Sequence, residues 1–558
     1  QEIETKQVTA DGTIETGSLS YTRRWPSRLE IMSFVTPYGI GLDLGPEGKT
    51  WTFDMTDFTP ILQGDKRIFL SRGGQNQEEM DIQFLFIKGT PAREVLDISQ
   101  LWPAQQFSAN YSQILANDVY YPPLNYQTLD SAKGFKIRSA ITGHGQEGEF
   151  IPRNHFIQVN NETYSRQVWK MCGENPVYPQ GGTWIYDRAG WCPGMATDVA
   201  EYDLTGKING GDLVTLDYGL DAGSGDSRYI VNNQLVSYGE YKFGYDLGIE
   251  DILEPSKKIE YARNNPTCLS PKITVKNNGR NTVNSITIDY WVNDKANKKT
   301  YTWNCYLTTG KVETIYLPQD NSIYSTAVQG NSIFYAEITA IDGNSSADEY
   351  VNNNLFESKF EFPEVYPQHF YLFYRTNNAA SETKIKVVDE WNKIVFEKNN
   401  LTNSTLYRDT LLLGLGCYKL TVEDTDGDGL SFFANNDGSG FFRIWEVGGS
   451  SLKTLNPDFG NKTELQFTVV HKVDVPKRTI DLGYKVFPNP AKGNFTVSGG
   501  DMAGAKHTLY NAFGQTIDAP YTQDEAKISY DLGAYSSGVY FINIQKNGFT
   551  WTNKIVVE

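Results

Sequence analysis

Tyr186-Asp187-Arg188-Ala189-Gly190-Trp191-Cys192-Pro193-Gly194-Met195 gathers a guanidinium, a large flat aromatic and a half-cystine into one short loop. Arg188 offers five donors in a rigid fork, a shape suited to a carboxylate or a carbonyl. Trp191 offers an apolar face with a polar edge, the kind of surface on which a sugar ring stacks. Cys192 can staple the loop, and Cys172 lies within reach along the chain. Read from residue types alone, the same stretch is a disulfide-pinned loop with a buried Trp and a structural Arg.

Around this loop, apolar and polar residues alternate with period two. Examples are Leu29-Glu-Ile-Met-Ser-Phe-Val35, Trp51-Thr-Phe-Asp-Met55, Met80-Asp-Ile-Gln-Phe-Leu-Phe-Ile87 and Phe135-Lys-Ile-Arg-Ser-Ala-Ile141. Such runs, separated by Gly- and Asn-rich turns, predict half-buried strands and an all-β chain. Gly89-Thr-Pro-Ala-Arg-Glu-Val95 reads as the exit into a linker that Pro103 and Pro122-Pro123 continue. At 558 residues the chain is too long for one core. No run of about 18 apolar residues occurs, so no helix is expected to span a membrane. The net charge of −17 argues against nucleic acid or anionic lipid as partners and is compatible with neutral glycans, cations or basic surfaces. Five cysteines suit an oxidising compartment, with one or two bridges and an odd thiol. Gln1 is read as the residue left after removal of a signal peptide, as in a mature exported chain.

Asp187-Arg-Ala-Gly-Trp-Cys-Pro-Gly-Met195 resembles the signature of the peptide-N-glycosidase F family, bacterial amidases that cut N-linked glycans from asparagine. Phe34-Val-Thr-Pro-Tyr38, Phe53-Asp-Met-Thr-Asp-Phe58 and His155-Phe-Ile-Gln-Val-Asn-Asn161 are further matches, in the same order and spacing, over about residues 25 to 245. The resemblance implies two packed jelly rolls, residues 1–98 and 99–250, with the site at their interface. It implies N-glycans and glycoproteins as substrates and no catalytic cofactor.

Three modules are expected beyond. Residues 252–361, with Asn264-Asn-Pro-Thr-Cys268 and Val275-Lys-Asn-Asn-Gly279, resemble immunoglobulin-like adhesion modules. A Cys268–Cys305 bridge between its two sheets is expected there. Residues 362–474 contain Asp424-Thr-Asp426-Gly-Asp428-Gly429, three carboxylates at alternate positions closed by Gly, which present hard oxygens around one point as a structural Ca²⁺ requires. An EF-hand would want Glu at the twelfth position, which is Asn435 here. The stretch instead resembles calcium-bearing jelly-roll modules of bacterial surface enzymes. Residues 483–558 carry Val486-Phe-Pro-Asn-Pro490, Leu509-Tyr-Asn-Ala-Phe-Gly514, Ser537-Gly-Val-Tyr-Phe-Ile542 and Lys554-Ile-Val-Val557. They resemble the sorting domain of type IX secretion substrates of the Bacteroidota. A small C-terminal β-sandwich follows from this, with the type IX translocon and its outer-membrane shuttle protein as partners, and the cell surface or exterior as destination.

Cleaving a glycosylated asparagine amide needs an activated water and stabilisation of charge on the amide oxygen. Carried over residue by residue, the resemblance places Arg188 and Trp191 in the substrate site. Glu149 falls on one catalytic glutamate, and His144 stands where the family has a substrate-facing Trp. The second glutamate falls on Ser71, where no acid is present. The family's Cys-Asp-x-Trp-Asp-Arg run has no counterpart in Tyr21-Thr-Arg-Arg-Trp-Pro-Ser-Arg28. Asp11 lies at about the right distance for the water-activating aspartate, and Ala10-Asp-Gly12 also reads as a plain turn. The polar run Gly73-Gly-Gln-Asn-Gln-Glu-Glu79 has no assigned place. A metal set of His144, Glu147, Glu149 and His155 fits no standard ligand spacing. Two functions therefore stand: an exported peptide-N-glycosidase F-like amidase, and a non-catalytic glycan-binding or adhesion protein on the same scaffold.

Overall fold

Gly134–His144 shows why the chain pairs into sheets: Phe135, Ile137 and Ile141 are buried on one face while Lys136 and Arg138 take the other. In the computed structural model this strand is central to a sheet ordered Arg93–Gln100, Arg228–Tyr241, Gly134–His144, Val199–Asp203. A second sheet, ordered Leu124–Gln127, Leu213–Leu220, Arg153–Val159, Glu162–Val168, faces it. Trp102, Phe135, Ile137, Leu216, Tyr218 and Leu235 fill the space between them. The structure describes all residues except 1, 21–28, 40–41, 43, 46–47, 72, 74–78, 103–108, 111–119, 224–225, 262, 264–266, 328–331, 470–483, 500–501, 512–514 and 547–548. The 21–28 run and most of the polar run at 73–79 thus lie outside the described residues.

Two expectations change in the first hundred residues. The linker expected at 89–95 leads straight into the strand Arg93–Gln100, because Val95 and Ile98 pack inward against Val236 and Tyr238. The jelly roll expected over 1–98 is not seen among the described residues. There the chain forms a hairpin, Glu2–Val8 with Ile14–Ser20, then one 3-10 turn, Thr56–Phe58, and one isolated bridge, Phe34 to Ala196. Alternation gives a segment the capacity to pair, but a ladder needs a partner edge. Leu29, Ile31, Met55 and Phe58 lie instead on the outer face of the sandwich sheet. Asp57 fastens them there through Lys136 (2.9 Å), Arg138 (2.8 Å) and the Tyr238 hydroxyl (2.5 Å). Leu85, Phe86 and Ile87 remain exposed.

The next module is a sandwich of Leu247–Glu254, Lys272–Asn277 and Val312–Tyr316 against a sheet ordered Lys299–Leu307, Val283–Val292, Ser332–Ile341, Leu355–Phe360. Its core includes Ile273, Ile288, Phe334 and Phe360. After it comes a sandwich of a five-stranded and a four-stranded sheet spanning Glu364–Tyr366 to Lys462–Val469. The chain divides into two compact units, Gln1–His471 and Lys472–Glu558. The second unit is a small sandwich of two four-stranded sheets from Lys485–Phe487 to Phe549–Val557, with Phe495, Ile528, Ile542 and Ile555 in its core.

Within the first unit the later sandwich folds back onto the first. Arg263, 7% exposed, donates to the carbonyls of Asn175 (2.8 Å), Gly173 (3.0 Å), Phe459 (3.1 Å) and Lys462. A Cβ on Gly173 would lie 1.9 Å from Asn461 Oδ1, so a larger residue there would displace the Asn461 side chain. The Trp184 indole donates to Asp458 (3.1 Å).

The cysteine pairing partly departs from expectation. Cys172–Cys192 forms as read from the sequence, but Cys268 pairs with Cys417 of the following module, and Cys305 is free. The stretch holding Cys268 runs beside Lys462–Val469, where the Gln466 amide oxygen accepts from the Cys268 N–H (3.1 Å). Cys305 sits on Lys299–Leu307 of the other sheet. Alkylation of the unreduced, denatured protein is expected to label Cys305 alone. A non-reducing digest is expected to yield a Cys268–Cys417 peptide pair; a Cys268–Cys305 pair would contradict this fold.

Candidate functional site

The strand Gly134–His144 ends at Gly145, and the chain turns through the short helix Gln146–Phe150 before returning as Arg153–Val159. That helix presents Glu149 to the Arg188 loop. The loop is fixed on every side: by Cys172–Cys192, by the paired main-chain bonds of Lys170 and Arg188 (2.8 and 3.1 Å), and by Glu149, whose carbonyl accepts from Ala189 (2.9 Å). Gly190 holds φ +79° and sits so close to the strand that a Cβ would lie 2.0 Å from the Ile141 carbonyl oxygen. The segment Ser33 to Tyr38 runs alongside, Val35 and Thr197 donating to Met195 (3.0 Å) and Ser33 (2.9 Å), and Gly181 to Tyr38 (2.5 Å).

This packing reverses the roles expected of the two signature residues. Arg188 is 1% exposed. Its Nε donates to Glu149 Oε1 (2.9 Å), Nη2 to the carbonyl (2.8 Å) and hydroxyl (3.3 Å) of Thr183, and Nη1 to the Tyr186 carbonyl and, at 3.8 Å, to Cys172 Sγ. All three nitrogens are engaged within the protein, so Arg188 holds Glu149 in place in this arrangement. Trp191 is 8% exposed, with the Arg188 guanidinium 5.0 Å from its ring and the His144 ring 6.1 Å away. Its indole N–H donates to the Gly143 carbonyl (3.0 Å).

His144 is half-buried, its Nε2 2.9 Å from the Thr142 hydroxyl. Burial, assisted by Arg228, pushes its pKa down, which favours the neutral ring. Glu149 is the reactive-looking group that stays reachable, with its side chain 19% exposed. Burial raises its pKa against the opposing pull of Arg188. Oε1 is the oxygen tied to Arg188, and Oε2 has no hydrogen bond to a described residue.

Asp11 is not part of this site. It lies at the tip of the N-terminal hairpin, accepting from the Thr9 and Thr13 hydroxyls and the Thr13 N–H. The Thr13 and Thr9 side chains hold its pKa down to about 2. It is the turn aspartate that Ala10-Asp-Gly12 also allowed. Ser71 is exposed. The imidazole–carboxylate set does not converge either: Glu147 pairs with Arg153 (3.3 Å), and His155 is buried with Nδ1 2.7 Å from the Tyr218 hydroxyl.

The outward aromatic surface lies elsewhere than expected. Phe150, Tyr186, Phe432 and Phe433 form a chain of edge-to-face contacts, with centroids 6.4, 5.9 and 5.0 Å apart. Tyr186 is 40% and Phe433 71% exposed. Phe432 packs its other side on Trp184 and Ile185. Tyr186 stood inside the signature stretch, but Phe432 and Phe433 come from another module and carry no local signal. Near them, Asp424 and Asp428 converge with Glu382, one carboxylate oxygen of each lying within 4.8 Å of the others. Asp426, expected as the third member, is exposed outside this group; Glu382, more than forty residues upstream in sequence, takes its place.

Comparison with known proteins finds two matching families, each over part of the chain. Residues 110–236 match the family described as Peptide-N-glycosidase F, C terminal, and residues 485–558 match the Secretion system C-terminal sorting domain. The peptide-N(4)-(N-acetyl-beta-D-glucosaminyl)asparagine amidase F of Elizabethkingia miricola is 29% identical over 234 residues, covering 37% of this chain. The chain spans 64% of that relative's length. Among solved structures, a crystal structure of that kind of amidase aligns at 23% identity over 27% of this chain and 55% of its own, with a TM-score of 0.25. A recombinant peptide:N-glycanase F aligns at 20% over 43% and 77%, with a TM-score of 0.27. Scores this low carry no weight for the fold. The sorting domain indicates export through type IX secretion to the cell surface or extracellular space. Among the described residues no helix is long and apolar enough to cross a membrane. Together the matches show an exported chain with a region similar to the peptide-N-glycosidase F C-terminal family.

Two outcomes follow from this packing. Arg188→Lys, which cannot reproduce the fork, is expected to destabilise the first unit by about 2–4 kcal/mol in denaturant unfolding. The second outcome concerns His155. Its pKa is pushed down to about 3 by burial, with Arg166 and Arg153 adding to this and Asp221 opposing. That lies below the unfolded value, so its stabilising contribution is complete above about pH 6.5 and is lost as pH falls toward the folded pKa. Relative to His155→Phe, wild-type stability is expected to drop by about 1.4 kcal/mol per pH unit below pH 6, as measured by unfolding across a pH series.

Proposed function

We propose that this chain is an exported N-glycan-binding protein on a peptide-N-glycosidase F-like scaffold, delivered by the type IX translocon and its shuttle protein. The reading rests on one observation: the Arg188 fork is fully engaged inside the protein, and Glu149 is its one ion-pair partner among the described residues. A single carboxylate with one free oxygen can accept from a sugar hydroxyl. The adjoining Tyr186 and Phe433 rings can stack on a pyranose face. Hydrolysis asks for more, namely a second group to activate water and a donor free to meet the developing oxyanion. Among the described residues no acid or base other than Arg188 is bonded to Glu149, and the Tyr38 hydroxyl, close enough to feel the charges of both Arg188 and Glu149, is a donor beside it.

The amidase is the second reading, favoured by the 29% identity to the Elizabethkingia miricola enzyme and by the raised pKa of Glu149. Denatured glycoprotein separates the two. The full chain is expected to retain it on a sensor surface without releasing glycan. Tyr186→Ala is expected to weaken binding roughly tenfold, an aromatic contact of about 1.4 kcal/mol. Glu149→Gln, which keeps an acceptor oxygen, is expected to leave binding nearly unchanged. Release of glycan by the wild type, abolished by Glu149→Gln, would overturn the binding reading in favour of the amidase.

A further inference from the structure

The carboxylates of Asp424 and Asp428 are divided between two tasks. Asp424 Oδ1 accepts from the N–H groups of Gly427 (2.7 Å) and Asp428 (3.2 Å), and Asp428 Oδ2 accepts from the Asn435 amide. Their other oxygens, Asp424 Oδ2 and Asp428 Oδ1, are buried without a hydrogen-bond partner, as is Glu382 Oε2. The two aspartates are only 3% and 6% exposed. No Lys or Arg among the described residues forms an ion pair with any of the three. Buried anionic oxygens facing one another cost several kcal/mol each unless a positive charge sits between them. Their mutual separation, within 4.8 Å, matches oxygens on one ion with metal–oxygen distances of about 2.4 Å. An all-oxygen set selects a hard cation.

The loop that carries these groups has a second duty. Asp424 donates its N–H to Asn461 (2.7 Å), and Asn461 donates to the Gly173 carbonyl (3.1 Å). Leu430 donates to Pro457 (2.8 Å), one residue before the Asp458 that holds Trp184. Two residues past Leu430 come Phe432 and Phe433. Glu382 is fixed to the same loop, its carbonyl accepting from Thr425 (3.1 Å). One layer of main chain separates the carboxylates from the loop of Cys172 and Arg188.

We propose that Glu382, Asp424 and Asp428 bind a calcium ion, and that this ion sets the loop bringing Phe432 and Phe433 to the glycan face. The second half rests on the glycan-binding reading; the ion site does not. Terbium serves as the probe, its luminescence excited directly and, through Trp184, whose indole is bonded to Asp458 of the adjoining loop, by energy transfer. The full chain, stripped with chelator, is expected to take up one Tb³⁺ that Ca²⁺ displaces and Mg²⁺ at equal concentration does not. Asp424→Asn and Asp428→Asn, which preserve shape, are expected to weaken binding at least roughly tenfold, and Asp426→Asn by less than about threefold. Ca²⁺ is expected to slow hydrogen exchange over residues 430–433 and 173–186. Absence of a Tb³⁺ signal, equal displacement by Mg²⁺, or equal loss in all three variants would overturn the calcium site. Unchanged exchange on a chain that binds Ca²⁺ would overturn the coupling alone. Intact Ca²⁺ binding and exchange protection without glycan binding would overturn the function proposed above and leave the ion in place.

Discussion

Arg263 puts a full positive charge between two modules and answers it with main-chain carbonyls from Gly173, Asn175, Phe459 and Lys462, with no carboxylate among these partners. Hydrogen bonds to a charged donor are worth more than neutral ones, and here each carbonyl also loses its water. Without the guanidinium, four carbonyl dipoles would face one another in a closed space. The loop behind Cys172 and the loop behind Asp458 meet around this side chain, alongside the direct bonds of Asn461 to Gly173 and of Trp184 to Asp458. The Tyr178 ring caps it, 4.1 Å from the guanidinium carbon. Because the two loops meet, Trp184 reaches Asp458, Phe432 reaches Tyr186, and a surface exists that neither sandwich makes alone.

The signature loop then has two sides with different work. Its inward side is a closed stack of His144, Trp191, Arg188 and Phe150, a rigid support for Glu149. Its outward side belongs to Tyr186 and to rings donated by a later module. A scaffold built to hold one carboxylate still, with aromatic surface next to it, is well suited to recognition, where a fixed partner lowers the entropy lost on binding.

Much of the architecture was legible in the sequence because it is local. The period-two run at 135–141 became a strand, and the tail that resembled a sorting domain matches one. Cys172 and Cys192, twenty residues apart, paired as read. What was not legible depends on partners far along the chain. Cys268 met Cys417 and not its neighbour in the same module. Glu382 displaced Asp426 because a strand end brings it there, and nothing near Glu382 in sequence announces an acidic loop. Arg188 and Trp191 were singled out by residue type, and residue type cannot say which side of a loop is buried. The runs at 29–35 and 80–87 had the right alternation and lacked a partner edge among the described residues.

The Cys268–Cys417 bond closes a ring of chain with a sequence separation of 149, and the ring contains most of the second module and the first half of the next. In a chain-entropy account such a ring stabilises the folded state by on the order of 5 kcal/mol. It has another effect that matters outside a cell. A protease that nicks any single turn between those cysteines converts the ring into two arms still joined through sulfur, so the aromatic surface stays attached to the Glu149 sandwich. Damage at one point in that stretch is then survivable, and separation of the parts requires a second cut or a reductant.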